Sequence, residues 1–450
     1  MSTPRLSRNS AHLARQHGID LNLLRRGVYC ITLQDILNYL DQQKPTRSLA
    51  MRHAPLFLPR SDKVRRYQWE CVEQIQEKSG FVIAPCGCGK TLIGLLVAVL
   101  NGGRFMILTS RYPEQWEAAL DEFFRPIDAA ITVVVGSAPP PGVIPDVFIS
   151  TYSAFCPGNK RLRFTKHLVY DTVVLDEAHC AASSANLAMI DRLHAVRWCA
   201  LTATLVREDK ELTKLEERIG PVMAEVERSR LVQEGYIPDV NITNIVVPYD
   251  NVAQLETHIG RQNALALHPN KIQVLLQVLR VLTAESHKII VFCDDLFCLR
   301  WTSGIVKSSG FPCVGTISMA TPMDARTCII KSFEGSPIST ILFVSRTGDE
   351  ALDVPSASAG IVFWNAWASR RQIVQRIGRL SRIHEKKHPV FLTLLADDSK
   401  EYEASKHRET YMRQHGFVVH TEALSESKYT VPLRAGEAYV ARLKSQYKRE

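Results

Sequence analysis

No apolar run in these 450 residues approaches the ~18 needed to cross a bilayer. None follows the opening Met1-Ser-Thr-Pro-Arg5 either, so neither a membrane span nor a secretory signal is expected. The 11 cysteines are odd in number, scatter from Cys30 to Cys328 and never form a C-x-x-C pair. Paired zinc-ligand spacing is therefore absent, a disulfide framework is disfavoured, and reduced thiols in an intracellular protein are expected. Cys293 and Cys298 come nearest to a metal pair, and no second pair accompanies them. Glycine (23) and proline (22) are too scarce for a collagen-like or low-complexity chain, and 46% hydrophobic residues exclude wholesale disorder. Acidic residues are in deficit, 46 against 55 Lys and Arg, which permits a polyanionic partner without requiring one. Most of that excess lies in residues 1–66, where twelve Lys/Arg face four Asp.

The organisation follows from texture. Length alone suggests about three domains at ~150 residues each. Residues 1–60 read as a basic N-terminal extension that could add nonspecific DNA affinity. From residue 61 to 222, short apolar runs at 81–84, 105–108, 131–135, 146–149, 172–175 and 198–201 alternate with helix-length amphipathic segments. Apolar strands separated by helices are what a parallel sheet covered on both faces requires. The same pattern returns over 269–424, with strands expected at 288–292, 312–315, 340–344, 360–363 and 389–392. The expected fold class is thus α/β, with two tandem parallel-sheet lobes. A polar stretch at 223–268 reads as a connector, and 425–450 as a flexible tail.

Three constellations carry chemistry. Ala84-Pro85-Cys86-Gly87-Cys88-Gly89-Lys90-Thr91 follows a strand and opens an apolar helix, the context of a phosphate-binding loop. Its glycines let the backbone close on an anion, Lys90 reaches the outer phosphates and the Thr91 hydroxyl ligates Mg2+. Ala84 stands where the pattern has its first glycine. Next, a strand ends in Asp176-Glu177-Ala178-His179. Asp176 suits the Mg2+ shell, and Glu177, pointing elsewhere by strand alternation, suits polarisation of an attacking water. Far downstream, residues 369–382 form a helix whose Ile373, Ile377 and Leu380 make the core stripe. Gln372, Gln375, Arg376 and Arg379 share the neighbouring face, where arginines can stabilise charge on a transferred phosphoryl group. Arg382 reads as a surface residue.

Over residues 62–424 these segments, in order, resemble the motor core of the XPB helicases, a branch of helicase superfamily 2. Asp176-Glu177-Ala178-His179 is that superfamily's box, with Ala178 where XPB proteins usually have valine. Thr202-Ala203-Thr204-Leu205-Val206-Arg207-Glu208-Asp209 is similar to the segment that marks the XPB branch. The resemblance implies two RecA-like lobes with a thumb-like connector, ATP and Mg2+ as cofactors, and an ATP-dependent DNA helicase moving 3′-to-5′. It implies that Arg65 and Gln68 read the adenine, and that Ser110, Gln115 with Trp116, and Thr151 contact a strand. His179, Thr202 and Thr204 would couple hydrolysis to movement, and Arg207, Glu208 and Asp209 would open DNA. Gly348-Asp349, with Asp353 and Pro355, fits a second-lobe motif and puts Asp353 at the nucleotide. Trp364-Asn365-Ala366-Trp367 replaces a small, polar stretch; its tryptophans either fill the core or form a stacking platform. The family's long N-terminal damage-recognition region is missing, which implies a compact form.

Partners implied are DNA ahead of RNA, transcription or repair proteins, and no membrane, in the nucleus or another DNA-containing compartment. The alternatives are an ATP-driven conformational switch in a transcription assembly, or an RNA-directed helicase.

Overall fold

The computed structural model describes residues 56–60, 64–110, 112–128, 130–136, 145–155, 169–203, 210–248, 268–346, 352, 354–365, 370–380, 388–397 and 400–424. The sequence-based expectations for nearly all of 1–60 and for 425–450, Thr204, Arg207, Glu208, Asp209, Asp353, Trp367 and Arg382 lie outside those residues. The chain divides into two compact units, Met1–Glu227 and Arg228–Glu450.

Unit 1 runs β1 (Phe57–Pro59), α1 (Arg66–Ile75), β2 (Gly80–Ile83), α2 (Lys90–Asn101), β3 (Phe105–Thr109), α3 (Pro113–Phe123), β4 (Phe124–Pro126), β5 (Val133–Val135) and β6 (Val147–Thr151). It continues with β7 (Val169–Leu175), α4 (Ala178–Ala181), α5 (Ser184–Ile190), β8 (His194–Thr202), α6 (Lys210–Ile219) and β9 (Val222–Glu225). Seven strands form one sheet in the order β5-β6-β3-β7-β8-β2-β9, every pair parallel. β1 and β4 make a separate antiparallel pair. The central strands are apolar throughout because helices cover both faces. Phe105, Met106, Ile107 and Leu108 are all fully buried. α2 lies unusually close to this sheet: a Cβ on Gly94 would stand 2.7 Å from Leu201 and 3.1 Å from Trp116.

Unit 2 comprises α7 (Arg228–Gln233), β10 (Asn241–Val247), α8 (Pro269–Ala284), β11 (Ile289–Cys293), α9 (Leu296–Ser308), β12 (Cys313–Ile317), α10 (Met323–Gly335) and β13 (Ile341–Val344). It closes with β14 (Ala359–Trp364), α11 (Arg370–Arg379), β15 (Val390–Ala396), α12 (Lys400–Gln414) and β16 (Val419–Ala423). The sheet order is β12-β13-β11-β14-β15-β10-β16, again all parallel. Every strand expected from an apolar run is present within a few residues.

Of the connector expected at 223–268, residues 249–267 lie outside the described residues, and the described part takes regular structure. β9 completes the first sheet, and β10 sits inside the second, between β15 and β16. β10 escaped the sequence reading because it carries polar residues between two prolines. Its Asn244 is buried, yet donates to Glu409 Oε2 at 3.3 Å and Thr421 Oγ1 at 3.4 Å. An amide satisfied by neighbouring elements costs the strand little.

A second polar knot ties the carboxyl ends of β14 and β15 to α8 and α12. Lys271 Nζ donates to Glu401 Oε2 at 2.7 Å, with both side chains almost wholly buried. Glu401 also accepts from the backbone N–H groups of Asn365 (3.2 Å) and Ala396 (3.4 Å). Arg408 donates to the Asn365 carbonyl at 3.1 Å. Breaking such a pair from one side costs ~3–5 kcal/mol, since the remaining charge stays buried.

Candidate nucleotide site

The loop between β2 and α2 is built to hold an anion. Gly87 and Gly89 are exposed and take φ of 82° and 81°, a left-handed backbone that L side chains rarely adopt. A Cβ on Gly89 would also press within 2.7 Å of Gln68 Nε2. Ala84 is fully buried, and its N–H donates to the Thr202 carbonyl at 3.0 Å. It has no positive φ, which explains why alanine serves at this glycine position. Thr202, at the end of β8, thereby supports the loop through its backbone. Thr91 lies in the first turn of α2, half-buried.

The loop is clamped from behind by α1. Tyr67 OH and Gln68 Nε2 both donate to the Cys88 carbonyl, the latter at 3.1 Å. Gln68 Oε1 accepts the Arg65 N–H at 2.9 Å. Gln68 is 3% exposed, so both ends of its amide brace the loop and the N-terminus of α1. Tyr67, within the same segment, receives no role from the sequence, because its partner at Cys88 lies 21 positions away. Burial pushes the Cys88 thiol up to about 11, so it is a packing thiol. Cys86 and Pro85 are half-buried at the loop's entry. Lys90 Nζ lies 3.3 Å from the Ala84 carbonyl. Burial pulls Lys90 down, but Cys86, Glu177, Cys88 and Asp176 together hold it above its ordinary value. It therefore stays an ammonium.

Asp176 follows β7 and faces this lysine. Its Oδ2 accepts from Thr109 Oγ1 at 3.0 Å and from the Trp116 indole N–H at 3.2 Å, while Oδ1 accepts the Glu177 N–H at 2.9 Å. Burial and the neighbouring Glu177 hold its carboxyl above the usual carboxylate range, opposed by Lys90 and the two side-chain donors. A cation between Asp176 and the phosphates would reverse that bias. Glu177 diverges from Asp176 for a reason other than strand alternation. β7 ends at Leu175, and Glu177 takes φ 47°, ψ 59° as it caps α4. A left-handed glutamate costs ~1–3 kcal/mol and persists at sites that need the aim it gives. His179 Nδ1 stands 3.4 Å from Glu177 Oε2.

These residues fit Mg2+. Among the described residues no three His, Cys, Asp or Glu gather as an all-protein metal cage would require. One carboxylate and one hydroxyl beside a phosphate cradle is the set this ion takes with a nucleotide. Cys293 and Cys298 are both buried.

Trp116 is the residue the sequence reading placed elsewhere, with the strand contacts. It is 2% exposed and holds the aspartate. Trp116→Phe keeps the ring packing and removes one donor to a charged acceptor, worth ~1.5–3 kcal/mol. The Mg2+ concentration for half-maximal nucleotide binding should rise about tenfold, with a lowered melting temperature from the lost bond; a magnesium titration beside a melting curve measures both. Ser110 and Gln115 are exposed, and Thr151 half-exposed, near the carboxyl ends of β3 and β6. This is the sheet edge that also bears Asp176, where parallel α/β sheets place their ligands.

In unit 2 the helix α11 separates residues that the sequence grouped on one face. Gln375 and Arg379 are half-buried, whereas Gln372 is 8% and Arg376 0% exposed. Arg376 Nη2 donates to Asp294 Oδ1 at 2.5 Å, and its guanidinium lies 4.7 Å from the Phe292 ring centre. Arg376 is thus an internal brace between α11 and the end of β11. Its expected role as a partner of Arg379 on the phosphate does not fit this burial and pairing. Trp364 is 4% exposed in the core, with Lys271 Nζ 4.8 Å from its ring centre. It fills the core and offers no stacking platform.

Residues 231–434 match the family described as ERCC3/RAD25/XPB C-terminal helicase. Residues 65–212 match the DEAD/DEAH box helicase family. The chain is 28% identical over 377 residues to the general transcription and DNA repair factor IIH helicase/translocase subunit XPB of Danio rerio, covering 79% of this chain and 47% of that protein. The XPB/SSL2 subunit of Saccharomyces cerevisiae is 26% identical over 384 residues, covering 79% and 44%. The chain therefore spans about half the length of these curated relatives. Among solved structures, S. cerevisiae Dbp5 bound to RNA and ADP BeF3 superposes with a TM-score of 0.56 at 13% identity, covering 91% of this chain and 95% of that one. The Pyrococcus furiosus Hef helicase domain gives 0.52 at 13% identity, covering 78% and 99%. These two share the fold. The XPB resemblance and the α/β class read from the sequence both hold, as far as two successive helicase family models, the second of XPB type, match the two units.

Proposed function

We propose that this chain, a DEAD/DEAH box helicase domain followed by an XPB-type C-terminal helicase domain, hydrolyses ATP to translocate on or open double-stranded DNA. The observation that carries the reading is the convergence of Lys90, Asp176 and Glu177 behind an exposed Gly87–Gly89 turn. The turn's N–H groups and the Lys90 ammonium bind the phosphates. Thr91 and Asp176 would hold Mg2+, which when bound neutralises charge on the phosphate oxygens. Glu177 takes the proton of the attacking water at a carboxylate oxygen. Arg379, and not Arg376, stabilises the charge that develops on the transferred phosphoryl group, with Gln375 and Asp353 assisting at the nucleotide.

Ser110, Gln115 and Thr151 are proposed to hold the strand by its phosphates. Thr202, through the loop it supports, and His179, beside Glu177, would pass the state of the nucleotide to that edge, with Thr204 continuing the path. Arg207, Glu208 and Asp209 would act in opening. The relatives' names place them in a transcription and repair factor, so transcription or repair proteins are the proposed partners, in a nucleus or other DNA-containing compartment.

ATPase rates with duplex DNA, single-stranded DNA and RNA test the reading. Duplex DNA should stimulate most. Stimulation by RNA alone would redirect the motor to RNA, and indifference to all three would favour a conformational switch.

A further inference from the structure

Helix α9 gathers three of the eight large exposed apolar side chains among the described residues, two of them aromatic. Leu296 is 43%, Phe297 47% and Trp301 56% exposed. The others are Met319 and Met323, four residues apart and both aliphatic, and Val196, Ile338 and Val418, which are far from one another in sequence. The core does not need this face, because Cys298, Leu299, Thr302 and Val306 bury the opposite one. Phe297 and Trp301 stand one turn apart with ring centres 6.0 Å from each other and planes tilted by 52°. Beside them a Cβ on Gly304 would meet nothing within 4 Å, which leaves the flank of the Trp301 ring open.

Charge identifies the occupant. Arg300 and Lys307 are exposed on α9, and no acidic residue lies within the helix. The two carboxylates just upstream are turned to internal tasks: Asp294 pairs with Arg376, and Asp295 caps the helix through the Cys298 N–H at 2.8 Å. Exposed rings interleaved with cations on a helix that itself carries no acid suit a polyanion that carries flat rings. α9 also opens at the carboxyl end of β11, the edge at which parallel sheets place ligands.

We propose that Phe297 and Trp301 form a base-stacking platform for single-stranded nucleic acid, with Arg300 at its phosphates. The inference rests on the motor reading and adds to it a contact with bases, independent of sequence because every base has a π-face.

The test compares oligothymidylate with an abasic strand of equal length on the full chain. The wild-type protein should prefer the strand with bases. Phe297→Ala/Trp301→Ala should lose about tenfold in affinity for that strand and little for the abasic one. The salt dependence should stay the same, since no phosphate contact is removed. Trp301→Phe should keep the preference and Trp301→Leu should lose it, an arm that stands even if the double variant folds poorly. Equal binding of the two strands by the wild type, or a preference retained in Trp301→Leu and the double variant, overturns the platform while leaving the motor intact; a partner protein would then be the occupant. Failure of the wild type to bind either strand, or duplex DNA, would instead remove the motor reading on which the platform rests.

Discussion

Glu177→Gln should hold ATP and fail to hydrolyse it, while Lys90→Ala should do neither. The two residues face the same phosphates from different elements and do different work. Asp176 keeps its three donors, from Thr109, Trp116 and the Glu177 backbone, when the Glu177 side chain becomes an amide. The Mg2+ position therefore survives, and so does the Lys90 ammonium. What is lost is the carboxylate that accepts the water's proton, a contribution of ~10²–10⁴ in rate. Lys90→Ala removes the cation of the loop itself, where Asp176 and Glu177 already raise its pKa along with Cys86 and Cys88. Those carboxylates then face the nucleotide phosphates uncompensated, so affinity and turnover fall together. Nucleotide titration beside phosphate release separates the outcomes. Wild-type turnover in Glu177→Gln would take the base assignment away from Glu177.

The parts of this site that were legible in the sequence share one property: their function is written in local spacing. A phosphate loop is a strand, a turn with glycines and a helix start, and all three lie within about a dozen residues. Most strands of the two sheets read directly because a strand covered on both faces is a short, unbroken apolar run. β10 did not read this way, since Asn244 looks like a loop residue until Glu409 and Thr421 supply its partners from 165 and 177 positions away. Trp116 failed in the same manner. Its indole nitrogen meets Asp176 across 60 positions, and nothing near Trp116 announces the aspartate. The divergence of Asp176 and Glu177 was expected for the wrong reason, because a left-handed glutamate leaves no mark on composition or period. Helical periodicity on α11 correctly found the apolar stripe at Ile373 and Ile377. It could not separate one arginine from the next, since burial of a charged residue depends on whether a distant carboxylate waits for it.

That separation yields the last expected result. Arg379→Ala should leave melting and ATP affinity nearly unchanged and lower turnover by about a thousandfold or more, the scale of an arginine that acts on the transition state. Arg376→Ala should do the reverse in kind. It removes the partner of Asp294 at 2.5 Å and the cation beside the Phe292 ring, leaving a carboxylate whose side chain is only 6% exposed. The cost is ~3–5 kcal/mol of stability, read as a lower melting temperature and denaturant midpoint. Asp294→Asn in the same background should recover part of that loss, because the uncompensated charge is gone. Any turnover deficit in Arg376→Ala would then follow the fraction folded. Should Arg376→Ala melt like the wild type yet fail to turn over, the buried arginine touches the reaction after all. If Arg379→Ala instead loses ATP affinity while keeping its rate at saturation, the α11 arginine binds the ground-state nucleotide, and the charge on the transferred phosphoryl group must be met from elsewhere in the chain.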